Sequence, residues 1–327
     1  IMQMLVQAKA ALEEPGPFGE NPLHCAAKSH NAGMVQLLVD AQTNVAFVDN
    51  MLKTPLHHAA KSSDVAALQI LINAKAPLNR RDIDKNTALH LAAAKGDSAC
   101  VQILVNAKAN VMIKDSSEKT PLHIVSEGGD STCVESIVCA RADVDTIDAA
   151  QCAPLHYAAR RGDAKSVQVL LNAQASPYLQ DFTRATPLHL AAEHGDAATV
   201  LLLVDAKADL NAVDIGTKTA LHLATAAGDV RKMQILVDAK ASLESTDFSS
   251  QTPLHVAAEN GHNAAVRFLL DANANPDAQD FHMKTPLLMA STRGDTETME
   301  VLINARCTVD DGDYGGRTSL HSAVQHG

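Results

Sequence analysis

Fifteen histidines and six cysteines are the residues of this 327-residue chain best suited to chemistry. Imidazoles can bind a metal or move protons, and thiolates can ligate zinc or act as nucleophiles. Their spacing points elsewhere. Nine of the histidines (His24, His57, His90, His123, His156, His189, His222, His255 and His321) recur every 33 residues, and Leu288 stands at the tenth position. A residue repeated at one interval along a whole chain is explained by a framework before it is explained by a site. His57-His58 and Glu193-His194 are neighbours in sequence, with nothing else converging on either pair. Cys25, Cys100, Cys133, Cys139, Cys152 and Cys307 form no C-x-x-C and no metal-ligand spacing. H-E-x-x-H, a Gly-rich phosphate loop and G-x-S-x-G are all absent. The expectation is a non-enzymatic protein with no catalytic residue, no metal site and no cofactor.

The elements that carry these residues repeat with them. The pattern Thr120-Pro121-Leu122-His123 has copies starting at Asn21, Thr54, Thr87, Ala153, Thr186, Thr219, Thr252, Thr285 and Thr318, with no insertion between any two. Such self-similarity marks stacked units, each packing on its neighbours. In the unit Thr87 to Lys119, Thr87 is placed as an N-cap, and the next position is Pro in seven of ten copies, as suits the first helical turn. Leu89, Ala92 and Ala93 give a short helix one apolar side, and Gly96 ends it as a left-handed residue. Gly holds that place in eight of ten copies, His30 and Ser63 being the exceptions. Asp97 caps a second helix whose apolar side is Val101, Ile103, Leu104 and Val105, with Gln102 facing out. Asn110 to Lys119 is polar and turn-like. It holds Asp115, one of nine aspartates at the same spacing, expected to bond its own turn backbone.

Thr186-Pro187-Leu188-His189-Leu190-Ala191-Ala192, followed by Gly195 and an Asp-bearing loop, resembles the ankyrin repeat, and the resemblance covers essentially the whole chain. It implies an all-α solenoid with short β-hairpin loops. Each unit would be two antiparallel helices with a hairpin at nearly a right angle, stacked into a curved array. Hairpin tips and first helices would form its inner face, and the repeated His would tie each helix start to adjacent loop backbone. On this reading one array spans 1–327: a second helix and loop in 1–20, nine complete repeats in 21–317, and a first helix in 318–327. Both ends cut through a repeat, so a longer parent protein is expected. One departure stands out. After the second helix, where the family usually has Gly, this chain has Lys9, Gln42, Lys75, Lys108, Arg141, Gln174, Lys207, Lys240, Asn273 and Arg306. In the left-handed region each would carry ~1 kcal/mol of strain, while the basic ones complement the helix C-terminus.

Net charge of −11 excludes general affinity for nucleic acid. No apolar run approaches 18 residues, so direct membrane insertion is not expected. Unpatterned cysteines and the absence of Asn-x-Ser/Thr fit a reducing, cytoplasmic setting. With 46% hydrophobic but only 3% aromatic residues, the core must be Ala, Leu and Val. The unit from Thr120 is the poorest match: Ser126 replaces Ala, Gly128 lies inside the first helix, and Ser136 sits in an aliphatic column.

What varies is the loop position just after the fixed Asp, which reads Asn50, Ile83, Ser116, Ala149, Phe182, Ile215, Phe248, Phe281, Tyr314. Four of the nine aromatics of the chain fall there, all in the second half. On exposed tips they would align into an apolar stripe, which marks a contact site unless the rings pack on one another. The same face collects basic residues, including Arg160, Arg161, Lys218, Lys284, Arg293 and Arg317. Over the columns that line it there are eleven basic and five acidic residues, an excess of six positive charges on a negative chain. The reading is a protein–protein interaction scaffold whose partner is an acidic or amphipathic protein segment. Rival readings are the cytosolic ankyrin arm of a membrane channel, the recognition module of a larger enzyme, and a structural spacer in a large assembly.

Overall fold

The computed structural model describes residues 12–326, so the second helix expected over Ile1 to Ala8 and the residue Lys9 lie outside the described residues. Nineteen helices supply nearly all the regular structure there, as nine consecutive pairs and one further first helix, Ser319–His326. A typical pair is Ala88–Lys95 and Ser98–Asn106, of eight and nine residues. Helices this short are not stable alone in water. They must lean on others, and the contacts show how.

Two compact units emerge, Ile1–Ala158 with Gln168–Ala175, and Ala159–Val167 with Ser176–Gly327. Within the first, Pro22–Lys28 packs on Pro55–Ser62, and Ala32–Asp40 packs on Val65–Asn73. The second repeats the scheme, with Pro187–Glu193 on Ala220–Ala226 and Asn263–Asp271 on Thr296–Asn304. The apolar columns meet between helices. Leu89, Val101 and Leu104 in the first unit, and Leu221, Met233 and Leu236 in the second, are fully buried. Each such side chain contributes ~1.5–3 kcal/mol of burial.

The helix starts are built on the repeated His. The Thr87 backbone N–H donates to Nδ1 of His90 (3.2 Å), and the His90 Nε2–H donates to the Lys119 carbonyl 29 residues on (3.3 Å). His189 makes the same pair of bonds to Thr186 and Lys218. One imidazole therefore closes a capping box at the start of its repeat and ties down the loop at that repeat's end. The second helices take the expected caps, Asp97 Oδ1 accepting from the Ala99 and Cys100 N–H groups.

Left-handed residues end the helices as the sequence suggests, including Gly96, His30 and Ser63 at the first-helix position. The expectation fails at Gly195, where His194 ends the helix in right-handed geometry. Lys232 explains the difference. In a column of small residues it is buried, and its ammonium donates to the Ala192 and Gly195 carbonyls (2.9 and 3.0 Å). The turn is thereby held in another orientation. After the second helix, the nine described residues from Gln42 to Arg306 all stay left-handed, φ lying between 61° and 74°.

Each loop is a tight turn around its Asp. Asp49 Oδ1 accepts from the Met51 and Lys53 N–H groups (2.8 Å each), and the Asp49 N–H donates to the Lys53 carbonyl (2.9 Å). These turns are hairpin-shaped but close on so few backbone pairs that Gly312–Thr318 is the single bridge among the described residues.

Candidate functional site

Within each unit, successive turns are joined by one backbone hydrogen bond per step. The residue just after the fixed Asp donates its N–H to the carbonyl of the preceding tip. In the second unit these bonds run Ile215 to Thr183 (2.8 Å), Phe248 to Gly216 (3.0 Å), Phe281 to Ser249 (2.9 Å) and Tyr314 to His282 (3.1 Å). The first unit uses the same bond at Ile83, Ser116 and Ala149. Backbone bonding of this kind fixes the tips without consuming the side chains.

The side chains are left outside. Phe182, Ile215, Phe248, Phe281 and Tyr314 are 67–84% exposed, against burial near zero for the core columns. Rings that stiffened the tips by packing on each other would be covered, so their exposure weighs against that role. The one ring contact on the stripe is local, Phe281 edge-on to His282 at 5.5 Å.

The basic residues divide. Lys284 and Arg293 line a groove of about 420 Å³ between tips and first helices, together with Glu259 and Asp280. Arg293 is partly absorbed by the fold, because its Nη1 donates to the Glu259 carbonyl at the end of the preceding first helix (3.1 Å). Lys218 is half-buried beside its tip, and Arg160, Arg161 and Arg317 are exposed. In the first unit, by contrast, three of the basic residues on this face are neutralised: Lys28 by Glu20 (3.3 Å), Lys53 by Asp82 (3.2 Å) and Lys119 by Glu127 (2.6 Å).

The framework histidines serve the backbone, through their capping and loop bonds. Burial pulls His57, His90, His189, His222 and His255 below the ordinary range and His123 to about 4. They are neutral, with both ring nitrogens engaged. Glu193-His194 is an exposed pair at 3.4 Å. His58 is another matter, and the expectation that nothing converges on it is corrected. Its Nε2–H donates to Asp49 Oδ2 (2.9 Å), with Glu20 alongside. Burial pushes the Asp49 carboxyl up, but the bonds from His58 and from the Lys53 and Met51 N–H groups outweigh it and hold the group below the usual range. Tyr157 occupies the same register as His58 and donates to Asp148 (2.5 Å). These convergences join residues of different repeats or opposite ends of one turn, which no linear motif displays. A residue-type break in a periodic column was the available signal.

The family model described as Ankyrin repeats (3 copies) matches residues 1–82, 67–148, 124–214 and 213–280. The chain belongs to the ankyrin-repeat family. Among solved structures it is similar to the crystal structure of the human ASB11 ankyrin repeat domain, at 27% identity and a TM-score of 0.60, covering 68% of this chain and 99% of that one. No curated protein matches. Ankyrin repeats are generally protein–protein interaction modules and typically non-enzymatic. No helix of the described residues is long and apolar enough to cross a membrane.

Proposed function

We propose that this ankyrin-repeat chain is an interaction scaffold that captures a protein partner on the tips and first helices of its second unit. The observation that carries the reading is the register of Ile215, Phe248, Phe281 and Tyr314. Four large side chains stand 67–84% exposed on consecutive tips whose backbones are hydrogen-bonded in series. A preorganised row of aromatics loses little entropy on binding and supplies the usual anchors of an interface. Lys218, Lys284, Arg293 and Arg317 flank the row, so an amphipathic segment with acidic residues beside its apolar face is the partner that fits. Arg160 and Arg161 extend the basic margin toward Phe182. A cytoplasmic setting belongs to the same reading.

Selection of displayed random peptides on the purified chain tests it. Binders should be enriched in acidic and apolar residues, and Phe248→Ala with Phe281→Ala should weaken the best of them by ~30-fold or more, a hot-spot-sized loss. Binders of unrelated composition, or binders indifferent to the double substitution, would refute the reading.

A further inference from the structure

In this framework the fourth residue after each fixed Asp comes to lie beside the fixed Asp of the next repeat. Where that residue is Lys53, it makes an ion pair with Asp82 at 3.2 Å. The same column reads Glu20, Lys53, Asn86, Lys119, Cys152, Ala185, Lys218, Gln251, Lys284, Arg317, and Glu20 is its single acid. At that step, therefore, a carboxylate faces Asp49 where the framework elsewhere supplies cations or neutral groups. Nine residues after Asp49 comes His58, the single His of its own column. Two independent breaks in periodic columns meet at one carboxylate.

We propose that Glu20, Asp49 and His58 form a binding site for a zinc-class divalent cation, drawn from three consecutive repeats of the first unit. The three ligand atoms lie within 4.8 Å of one another, and the His58 Nε2 to Asp49 Oδ2 separation is already 2.9 Å. Ligands of a tetrahedral zinc centre with bonds of about 2.0–2.1 Å sit ~3.3 Å apart. Glu20, on the loop before the helix Pro22–Lys28, comes into bonding range by a change of side-chain rotamer. The ion takes the place of the Nε2 proton, which leaves to solvent. A carboxylate–carboxylate–imidazole set suits zinc better than calcium or magnesium, which prefer oxygen alone.

The surroundings are organised as a support for such a centre. Asp49 Oδ1 is pinned by the Met51 and Lys53 N–H groups, which aims Oδ2 at His58. The cleft of about 600 Å³ beside the trio leaves room for water as a fourth ligand. Lys53 is engaged with Asp82. Lys28 sits 3.3 Å from the outer oxygen of Glu20, and its 63%-exposed side chain can swing away. The step around Asp148 shows the alternative in the same register. There the trio is Lys119, Asp148 and Tyr157: the phenol donates to Asp148, and the ammonium lies 4.4 Å from the ring centroid. That ammonium is paired with Glu127, and the fixed Asp there takes a neutral hydroxyl in place of an imidazole.

Zinc titration of the chelator-stripped chain by calorimetry tests the assignment, with melting temperature and far-UV circular dichroism followed in parallel. The wild type should bind one equivalent and melt higher with zinc. Glu20→Gln and His58→Gln should each weaken binding by at least the ~10–100-fold that loss of even a supporting residue costs. Glu20→Lys with His58→Tyr, which installs the trio found around Asp148, should remove the site and leave the metal-free spectrum unchanged. Zinc uptake by the wild type no stronger than by this double variant would overturn the proposal. So would single Gln variants, folded by the same spectrum, that bind as the wild type does.

Discussion

The tips of the two units are alike in backbone and unlike in side chain. In the first unit the position after the fixed Asp holds Asn50, Ile83, Ser116 and Ala149; in the second it holds Phe182, Ile215, Phe248, Phe281 and Tyr314. The hydrogen bond that links each tip to the last is the same, 2.9–3.1 Å at Asn50, Ile83, Ser116 and Ala149 and 2.8–3.1 Å from Ile215 to Tyr314. Folding needs are thus met by groups common to every repeat. Side chains at the tip are free to differ, and on the proposed reading that difference is where a partner would be selected.

If the framework is shared, acid should damage both units alike. His57, His90 and His123 in the first, and His189, His222 and His255 in the second, are kept neutral by burial. The unfolded chain takes up these protons below about pH 6.5 and the folded chain does not. Stability is therefore full above that pH and falls as pH drops toward the folded values, about 4 for His123. That residue alone accounts for on the order of 3 kcal/mol. Urea melts from pH 7 to 4, followed by hydrogen exchange in each unit, should show parallel losses. Retention of one unit at pH 4.5 would break the symmetry.

Core truncation should be equally even-handed. Leu104→Ala and Leu236→Ala, at fully buried and equivalent positions, should each cost ~2–5 kcal/mol. Chemical denaturation would show whether one unit is the weaker. A smaller, local asymmetry is expected at the repeat from Thr120. The Ser126 hydroxyl is buried without a hydrogen-bond partner, and Ser136 turns its own hydroxyl to Gln102 and the Thr132 carbonyl instead of filling the aliphatic column. Backbone amides there should exchange ~10-fold faster than those of the repeat from Thr186, reflecting an opening easier by about 1.4 kcal/mol. Equal rates would show that the column tolerates serine. The mildest change is Lys108→Gly, which relieves a φ of 69° and should add ~1 kcal/mol or less.

The period made most of this architecture legible. Thr or Asn before the first helix, Asp before the second and His three residues past the cap are local rules that the structure uses in most repeats, with Ala153, Asn31, His262 and Leu288 as the departures. The left-handed residue at the turn tip, such as Lys85 or Glu118, gave no such signal, because its side chain type varies freely. Lys232 stands in a largely buried column and is itself buried, its charge met by carbonyls 37 and 40 residues earlier that no local pattern reveals. Arg293 reads as free surface charge, although it caps a neighbouring helix. The exposure of the tip aromatics could be anticipated only through the resemblance. Their alternation of types says which tips differ, and coordinates are needed to say that they stay uncovered.

One comparison reaches the centre of the account: affinity for a selected peptide and melting temperature, measured together for Phe248→Ala/Phe281→Ala and for Ile83→Ala/Asn50→Ala. Loss of binding by ~30-fold or more in the first pair alone, with both proteins melting close to the wild type, is the result predicted. A large fall in melting temperature for the Phe variants, or equal loss of binding from both pairs, would contradict it.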